Sequence, residues 1–277
     1  MSLIQSAKES LKTSNRRILV MGPRGTGKTT FAVSASAKAG DTLTGEVRDC
    51  DDVLVIQGDT EGIMGAVDAG LHPGIVLEMT DCDTWPAYQA RLINGLKELA
   101  DKLTDGTIKV IVIDLAHPAQ LIVSHVAPTQ ISDWQAVKAE GAKLFRAFSR
   151  YRGVTVVGIC QVTSAMVLGE GSSKGAQAGA IDAATALAIG GERSTFKEDL
   201  VKGVATPWLD HTSFIFTRDS KRKRSDDGKG FRKEFFTLTQ STMKFAAKSR
   251  AESVLPQLLP GERSLRSILN QVYGESV

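Results

Sequence analysis

The chain has few cysteines and no long apolar run, and both absences narrow what it can be. Only three of its 277 residues are cysteine, at positions 50, 82 and 160. An odd number of widely spaced thiols favours neither a disulfide framework nor a zinc site, so we expect reduced thiols. No apolar stretch approaches the roughly 18 residues of a membrane-spanning helix, and the first residues lack the apolar core of a signal peptide. The sequence therefore predicts a cytoplasmic protein with no membrane partner.

Disorder and a modular architecture are also excluded. Hydrophobic residues make up 42% of the chain and charged residues 23%, which is ordinary for a globular protein that folds around its own core. No internal repeat, low-complexity tract or obvious linker divides the sequence. We therefore expect residues 1–277 to form a single domain.

Positive charge is concentrated near the C-terminus. Residues 218–250 contain eleven Lys or Arg and four acidic residues, a local charge of +7, although the whole chain carries only +3. A basic segment on an otherwise acidic body favours contact with a polyanion, or with the nucleotide of a neighbouring subunit.

The most specific motif lies near the N-terminus. Residues 22–29, Gly-Pro-Arg-Gly-Thr-Gly-Lys-Thr, match the phosphate-binding loop G-x-x-x-x-G-K-[ST] at every constrained position. An apolar strand at 18–21 precedes the loop and a helical segment follows it, which argues against a chance glycine-rich turn. Loop N–H groups and the ammonium of Lys28 suit phosphate, and the hydroxyl of Thr29 suits Mg²⁺. The residues expected to bind ATP are Gly22, Pro23, Arg24, Gly25, Thr26, Gly27, Lys28, Thr29 and Thr30.

Apolar strands alternate with helical patterns through the first 161 residues. Strands are predicted at 53–56, 75–79, 108–114 and 154–160, and helices at 85–103 and 133–151. This alternation predicts an α/β fold, a mostly parallel twisted sheet with helices on both faces, whose ligand lies beyond the carboxyl ends of the strands. Beyond residue 210, strands predicted at 212–217 and 231–239 flank a turn at 225–230 and predict an antiparallel extension with a basic hairpin.

Three polar residues follow predicted strands and complete a candidate site. Asp114 ends a strand of four apolar residues, as a carboxylate that holds Mg²⁺ would, although an ordinary strand-ending acid has the same pattern. Many phosphate-loop ATPases place the glutamate that orients the attacking water directly after the strand-ending acid, but Leu115 occupies that position here. Glu61, which follows the strand at 53–56, is therefore the candidate for this role. Asp59 competes with Glu61 for that role. Gln161 ends the next strand, where an amide can contact the γ-phosphate.

In this order the phosphate loop, Glu61, Asp114 and Gln161 resemble the RecA-like recombination ATPases. Within them the chain is most similar to compact phage-encoded recombinases and single-strand-annealing-associated ATPases. The resemblance implies a leading helix at 1–15, a nucleotide-binding core at 16–161, a DNA-facing loop and insertion at 162–210, and a basic hairpin with a terminal helix at 211–277. Within the insertion, the alanine-rich stretch 176–189 predicts a helix.

The same resemblance implies what the protein does and with whom. It implies a DNA-stimulated ATPase of recombination or replication that uses ATP and Mg²⁺, in which Lys28, Glu61 and Gln161 are catalytic. The implied partners are single-stranded DNA, further copies of the chain in a ring or filament, and a single-strand-binding or annealing protein. If the chain is phage-encoded, its location is the bacterial host cytoplasm.

The basic run has more than one interpretation. Arg218, Lys221, Arg222, Lys223 and Arg224 suit DNA phosphates, or a finger that reaches the ATP of a neighbouring protomer. A solvated hairpin edge is the simpler alternative.

The scattered histidines, His117 among them, form no metal-ligand spacing, so we expect them to have loop or packing roles. Trp85 and Trp134 fit helix faces, whereas Trp208 is a candidate exposed contact.

Two other classes of function remain open. A nucleotide or small-molecule kinase would use the basic run as a lid over ATP, but Glu61 argues against it because a kinase must exclude activated water. A RecA-related assembly or regulatory module would bind ATP and hydrolyse little of it.

Overall fold

The computed structural model describes most of the chain up to residue 161 and part of the remainder. The described residues are 16–58, 61–130, 133–161, 164–168, 177–182, 208, 212, 214–224, 231–240, 247–249 and 255–273. The predicted leading helix at 1–15, Asp59, most of the insertion at 162–210 and the predicted turn at 225–230 lie outside these ranges.

Eleven strands occur in the described residues. They are β1 (Arg16–Gly22), β2 (Arg48–Gln57), β3 (Leu71–Glu78), β4 (Val110–Asp114), β5 (Thr155–Gln161), β6 (Ser164–Leu168), β7 (Gln177–Asp182), β8 (Phe214–Arg224), β9 (Phe231–Leu238), β10 (Lys248–Ser249) and β11 (Leu258–Pro260). All but β6 and β7 belong to one sheet, in the order β3-β2-β4-β5-β1-β8-β9-β11 with β10 also paired to β8.

The sheet is parallel from β3 to β8 and antiparallel beyond it. The predicted α/β class with a mostly parallel sheet is confirmed, as is an antiparallel C-terminal extension. The order places β5 between β1 and β4. The carboxyl ends of these three strands, Gly22, Gln161 and Asp114, therefore meet at one edge of the sheet.

Helices cover both faces of the sheet. Side chains alternate between the faces along each strand, and here both sets are apolar, so each face needs a covering layer. Leu19 and Met21 point to one face, and Ile18 and Val20 to the other. The first face packs against α3 (Trp85–Glu98), α4 (Ala100–Thr104), α5 (Ala116–Val126) and α6 (Trp134–Ser149). The second packs against α1 (Lys28–Val33), α2 (Glu61–Asp68) and α7 (Leu265–Tyr273).

Several element boundaries differ from the sequence prediction. The helix predicted at 85–103 is divided at Leu99 into α3 and α4, and β2 begins at Arg48 instead of residue 53. Helix α5 was not predicted. Pro118 lies in its first turn, where a missing backbone N–H costs no intrahelical hydrogen bond.

Among the described residues, the alanine-rich segment is the element predicted with the wrong type. Residues 177–182, expected to be helical, form β7 and pair antiparallel with β6. Gly179 lies within this stretch and disfavours a helix, while the ladder to β6 satisfies the backbone groups of both segments. The part of the predicted helix beyond residue 182 lies outside the described residues.

Within the described ranges, no helix is both long enough and apolar enough to cross a bilayer.

Trp208 is a core residue and not the exposed contact that its sequence position favours. Its side chain is fully buried and its ring meets Phe145 edge to face, with centroids 5.1 Å apart. Gly158 in β5 makes room for it: a Cβ there would lie 2.8 Å from Cε3 of the indole. Trp85 is buried as predicted, and Trp134 is half-buried against the same core.

We expect Trp208→Ala to lower the free energy of unfolding by about 3–5 kcal/mol, because it removes the largest side chain packed on β5 and leaves a cavity. Trp134→Ala is the matched control and should cost less, since Trp134 is partly solvated. Urea unfolding followed by circular dichroism measures both. Equal losses in the two variants would contradict the core position of Trp208.

Candidate active site

A cleft of about 480 Å³ opens at the carboxyl edge of the parallel strands. Its walls come from the loop after β1, the turn after β2, and the ends of β4 and β5. It gathers most of the predicted residues, namely Arg24, Gly25, Gly27, Lys28, Thr29, Thr30, Asp114 and Gln161. Residues that lie far apart in sequence thus line one concave surface, as expected of a ligand site in a parallel α/β sheet.

Two glycines of the loop are required by its geometry. A Cβ on Gly22 would lie 2.1 Å from the carbonyl oxygen of Arg218, so β8 leaves no space for a side chain there. Gly27 has φ 70° and precedes α1, a left-handed conformation that costs glycine little. The loop therefore turns sharply from β1 into α1 with its backbone facing the cleft.

The carbonyl of Pro23 organises the inside of the loop. It accepts a hydrogen bond from Nζ of Lys28 at 2.7 Å and another from Oγ1 of Thr26 at 2.9 Å. Thr26 is buried, so its role is to shape the loop, while Arg24 and Gly25 are exposed at the tip. The loop thus holds Lys28 at the mouth of the cleft.

Burial lowers the pKa of Lys28 to about 8, against the opposing attraction of the Asp114 carboxylate. An ammonium in this position is short of negative charge. A phosphate would supply it and would raise the pKa again.

The two threonines that follow Lys28 have different surroundings. Oγ1 of Thr30 donates to the carbonyl of Gly65 in α2 at 3.0 Å, so this hydroxyl ties α1 to α2, although Thr30 was expected to bind the ligand. Thr29 faces the first turn of α2, where a Cβ on Gly62 would lie 3.0 Å from its Oγ1. Thr29 is therefore the threonine that suits a cation.

Asp114 brings a carboxylate into the cleft at the end of β4. Its Oδ1 accepts a hydrogen bond from the backbone N–H of Ala116 at 2.8 Å. Together with Thr29 it offers hard oxygen ligands, which Mg²⁺ prefers. No cluster of three His, Cys, Asp or Glu that could hold a metal occurs in the part of the chain that the structure describes. Mg²⁺ commonly takes its other ligands from water and substrate phosphates, so these two residues fit it.

Cys160 lies beside this carboxylate. Burial raises the pKa of its thiol, and the charge of Asp114 raises it further. Both effects favour the neutral thiol. Cys160, like Cys50 and Cys82, is a free cysteine, as expected.

The backbone of Glu61 lies next to the cleft. Glu61 is the first residue of α2, and its neighbours Gly58 and Gly62 both line the cleft. Its side chain and the competing Asp59 lie outside what the structure describes. Gln161 lines the cleft and pairs with Gly22 across β5 and β1.

His117 is a cleft residue that the sequence did not single out. It lies on α5 and was assigned to a loop or packing role, but it lines the cleft and meets Tyr88 edge to face. A Cβ on Gly58 would lie 2.0 Å from its Nδ1, so Gly58 is required for this packing. Nδ1 is buried and has no hydrogen-bond partner among the described residues. In the sequence, only the position of His117 three residues after Asp114 could have indicated that it lines the cleft.

Arg218 lies behind the phosphate loop, not on an exposed hairpin. Its side chain is only 2% exposed. Nε donates to the carbonyl of Thr26 at 3.2 Å, and Nη1 donates to Oγ1 of Thr237 at 2.8 Å and to the carbonyl of Gly261 at 3.0 Å. The guanidinium also lies 4.8 Å from the ring centre of Phe31. A residue held in this way does not suit the expected trans finger or DNA contact.

The rest of the basic run continues β8 as regular strand. Lys221, Arg222, Lys223 and Arg224 all lie in β8, which the sequence prediction ended near residue 217. Their partners in β9 include two further basic residues, with Arg222 opposite Lys233 and Lys223 opposite Arg232.

A second cavity of about 680 Å³ adjoins the loop on its other side. It shares Gly25, Gly27, Thr30 and Gly65 with the cleft. Phe235 and Glu262 add an aromatic ring and a carboxylate to its wall. The two cavities therefore border the same loop residues.

Comparison with models of known protein families gives no match, and no curated protein is similar enough to count as one. The assignment of a function therefore depends on the cleft itself.

We expect Arg218→Ala to lower the free energy of unfolding by at least about 3 kcal/mol, because two buried carbonyls and a hydroxyl lose their donor at about 1–3 kcal/mol each. Urea unfolding measures this, and Arg91→Ala is the control. Arg91 is exposed and pairs with Asp81 at 3.6 Å, so its loss should cost less than about 1 kcal/mol. An Arg218→Ala protein of unchanged stability that fails only in hydrolysis would support the trans role instead.

Proposed function

We propose that the chain binds ATP with Mg²⁺ and hydrolyses it in association with DNA, as a RecA-like ATPase. The observation that carries the proposal is the convergence of the phosphate loop, Asp114 and Gln161 on one cleft at the carboxyl edge of a parallel sheet. A phosphate loop alone indicates only which ligand binds. The neighbouring Asp114 carboxylate and Gln161 amide indicate which reaction the bound ligand can undergo.

Each residue has a distinct role in this proposal. Loop N–H groups and Lys28 hold the phosphates, while Thr29 and Asp114 hold Mg²⁺, which neutralises charge on the phosphate oxygens. Glu61 orients the attacking water and accepts its proton as the γ-phosphate is cleaved. Gln161 contacts the γ-phosphate and reports its presence to the segment that follows β5.

The second cavity supports binding of a whole nucleotide. Because it borders Gly25 and Gly27, which also line the cleft, it offers room for the base and ribose of ATP beside the loop. Phe235 offers a surface on which a base can stack. Gly261, which follows β11, allows the backbone to approach Phe235 in β9, because a Cβ on Gly261 would lie 2.3 Å from the carbonyl oxygen of Phe235.

The association with DNA is supported by the register of β8 and β9. In this register basic residues oppose one another twice in succession, Arg222 at the position of Lys233 and Lys223 at that of Arg232. Four cationic residues at neighbouring register positions favour a polyanion as partner. Single-stranded DNA is the partner that the RecA resemblance implies, and the triphosphate of a neighbouring copy in a ring or filament is the alternative. The recombination or replication role, the phage origin and a single-strand-binding or annealing partner rest on that resemblance alone.

We expect Glu61→Gln to lower the rate of ATP hydrolysis by about 10²–10⁴ while ATP still binds, because the amide cannot accept the proton of the attacking water. Glu78→Gln is the matched control: Glu78 also ends a strand at this edge but is exposed and does not line the cleft. Phosphate release is measured with and without single-stranded DNA and at several protein concentrations.

Four results would contradict the proposal. Full activity of Glu61→Gln with loss in Asp59→Asn would transfer the role to Asp59. A rate indifferent to DNA and to protein concentration would remove the DNA-coupled ATPase. Phosphate transfer to a nucleoside or sugar would favour a kinase, and ATP-dependent assembly with negligible hydrolysis would favour a regulatory module.

Nucleotide affinity should fall as the pH rises through about 8. The unliganded pKa of Lys28 is lowered to about 8, and a bound triphosphate raises it, so binding takes up a proton above this pH. The loss approaches tenfold per pH unit until the pKa of the complex is reached. Titration of a fluorescent ATP analogue measures it, and Lys28→Arg, charged throughout, should show no such decline. A flat profile in the unmodified protein would contradict the position of Lys28.

A further inference from the structure

A separate cavity of about 240 Å³ lies at the opposite edge of the sheet, where the strands begin. The first residues of β1, β4 and β5 (Arg16, Val110 and Thr155) line it. Since β5 has seven residues at about 3.3 Å each, this cavity is about 20 Å from the nucleotide cleft. It is therefore a distinct site.

Four basic residues line this amino-edge cavity. They are Arg16, Lys109, Arg152 and Arg266, against one acidic residue, Asp52. The Asp52 carboxylate already accepts hydrogen bonds from the Ser36 hydroxyl and, at 2.9 Å, from the backbone N–H of Ala37. Across the described residues, no carboxylate comes within 4.0 Å of any of the four cations. The positive charge is not neutralised by direct ion pairs.

Arg16 gives the strongest indication of a ligand. Its side chain is 8% exposed, and its buried Nε has no hydrogen-bond partner among the residues that the structure describes. Its guanidinium lies 4.4 Å from the ring centre of Tyr273, which attracts the cation but leaves Nε–H without an acceptor. Buried charged groups are normally paired, and an unsatisfied donor costs about 1–3 kcal/mol. An anion in the cavity would remove this cost.

We propose that the amino-edge cavity binds a phosphate group. Guanidinium groups match the oxygens of phosphate in pairs, and three of the four cations are arginines. The volume is several times the roughly 30 Å³ that a water molecule occupies in the liquid, so a phosphate has room. Lys109 and Arg152 are exposed at its rim and give access from solvent.

The first test is calorimetric titration with inorganic phosphate. All variants carry Lys28→Ala, so that the phosphate loop cannot account for binding. We expect saturable binding in this background and at least tenfold weaker binding when Lys109→Gln and Arg152→Gln are added. The matched control adds Arg91→Gln and Lys138→Gln, which remove the same charges elsewhere, and should bind as tightly as the background.

A second titration distinguishes the source of the phosphate group. Fluorescence anisotropy follows binding of a labelled single-stranded oligonucleotide at several salt concentrations. If the phosphate group belongs to nucleic acid, the double variant Lys109→Gln with Arg152→Gln binds the oligonucleotide more weakly, and the slope of log affinity against log salt concentration falls by about 2. If the group belongs to a free phosphate compound, the double variant binds the oligonucleotide as tightly as the control does.

Both results of the second titration support the site. Absence of saturable phosphate binding, or equal binding by the two double variants, would overturn it. Neither outcome bears on ATP hydrolysis at the other edge.

Discussion

The phosphate loop depends on the contacts that the buried guanidinium of Arg218 makes. This guanidinium joins the loop at Thr26 to β9 at Thr237 and to the turn after β11 at Gly261, and it packs on Phe31 of α1. The backbone of the same residue lies where a side chain on Gly22 would be. A cation from the C-terminal part of the chain thus fixes a loop near the N-terminus. The antiparallel extension is consequently part of the structure that supports the loop and not an appendage to it.

The parallel sheet gives its two edges different chemistry. At the carboxyl edge, one ammonium, one carboxylate and a glycine-rich backbone suit a phosphate chain with its cation. At the amino edge, three arginines and a lysine surround a smaller cavity whose single carboxylate is already hydrogen-bonded. Because strand ends of one kind always share an edge, alternation along the chain is enough to separate the two sites.

Much of the parallel core and of the cleft could be predicted from the sequence, because local patterns encode them. Continuous apolar strands identify a sheet buried on both faces, and a loop motif with polar residues at strand ends identifies an edge. What could not be predicted depends on contacts between distant segments. Arg218 and Lys221 are both basic residues in one run, and only the path of β8 past Gly22 decides that Arg218 is buried.

Other residues escaped prediction for the same reason. Trp208 is placed by the missing side chain of Gly158, and His117 by that of Gly58. The segment 177–182 has helical composition but pairs with β6. Gly158 and Gly58 are 50 and 59 residues away from the side chains that they admit, so no local pattern records those contacts, and the pairing of 177–182 depends on a strand outside the segment itself.

Strand β8 holds Arg218 behind the loop and, three residues further on, begins the basic run at Lys221. An extended strand is nearly inextensible along its axis, and the distance between these two positions is only about 10 Å. The ladder to β9 runs unbroken from Thr217 to Arg224, so the backing of the loop and the basic positions at 221–224 share one regular stretch of backbone.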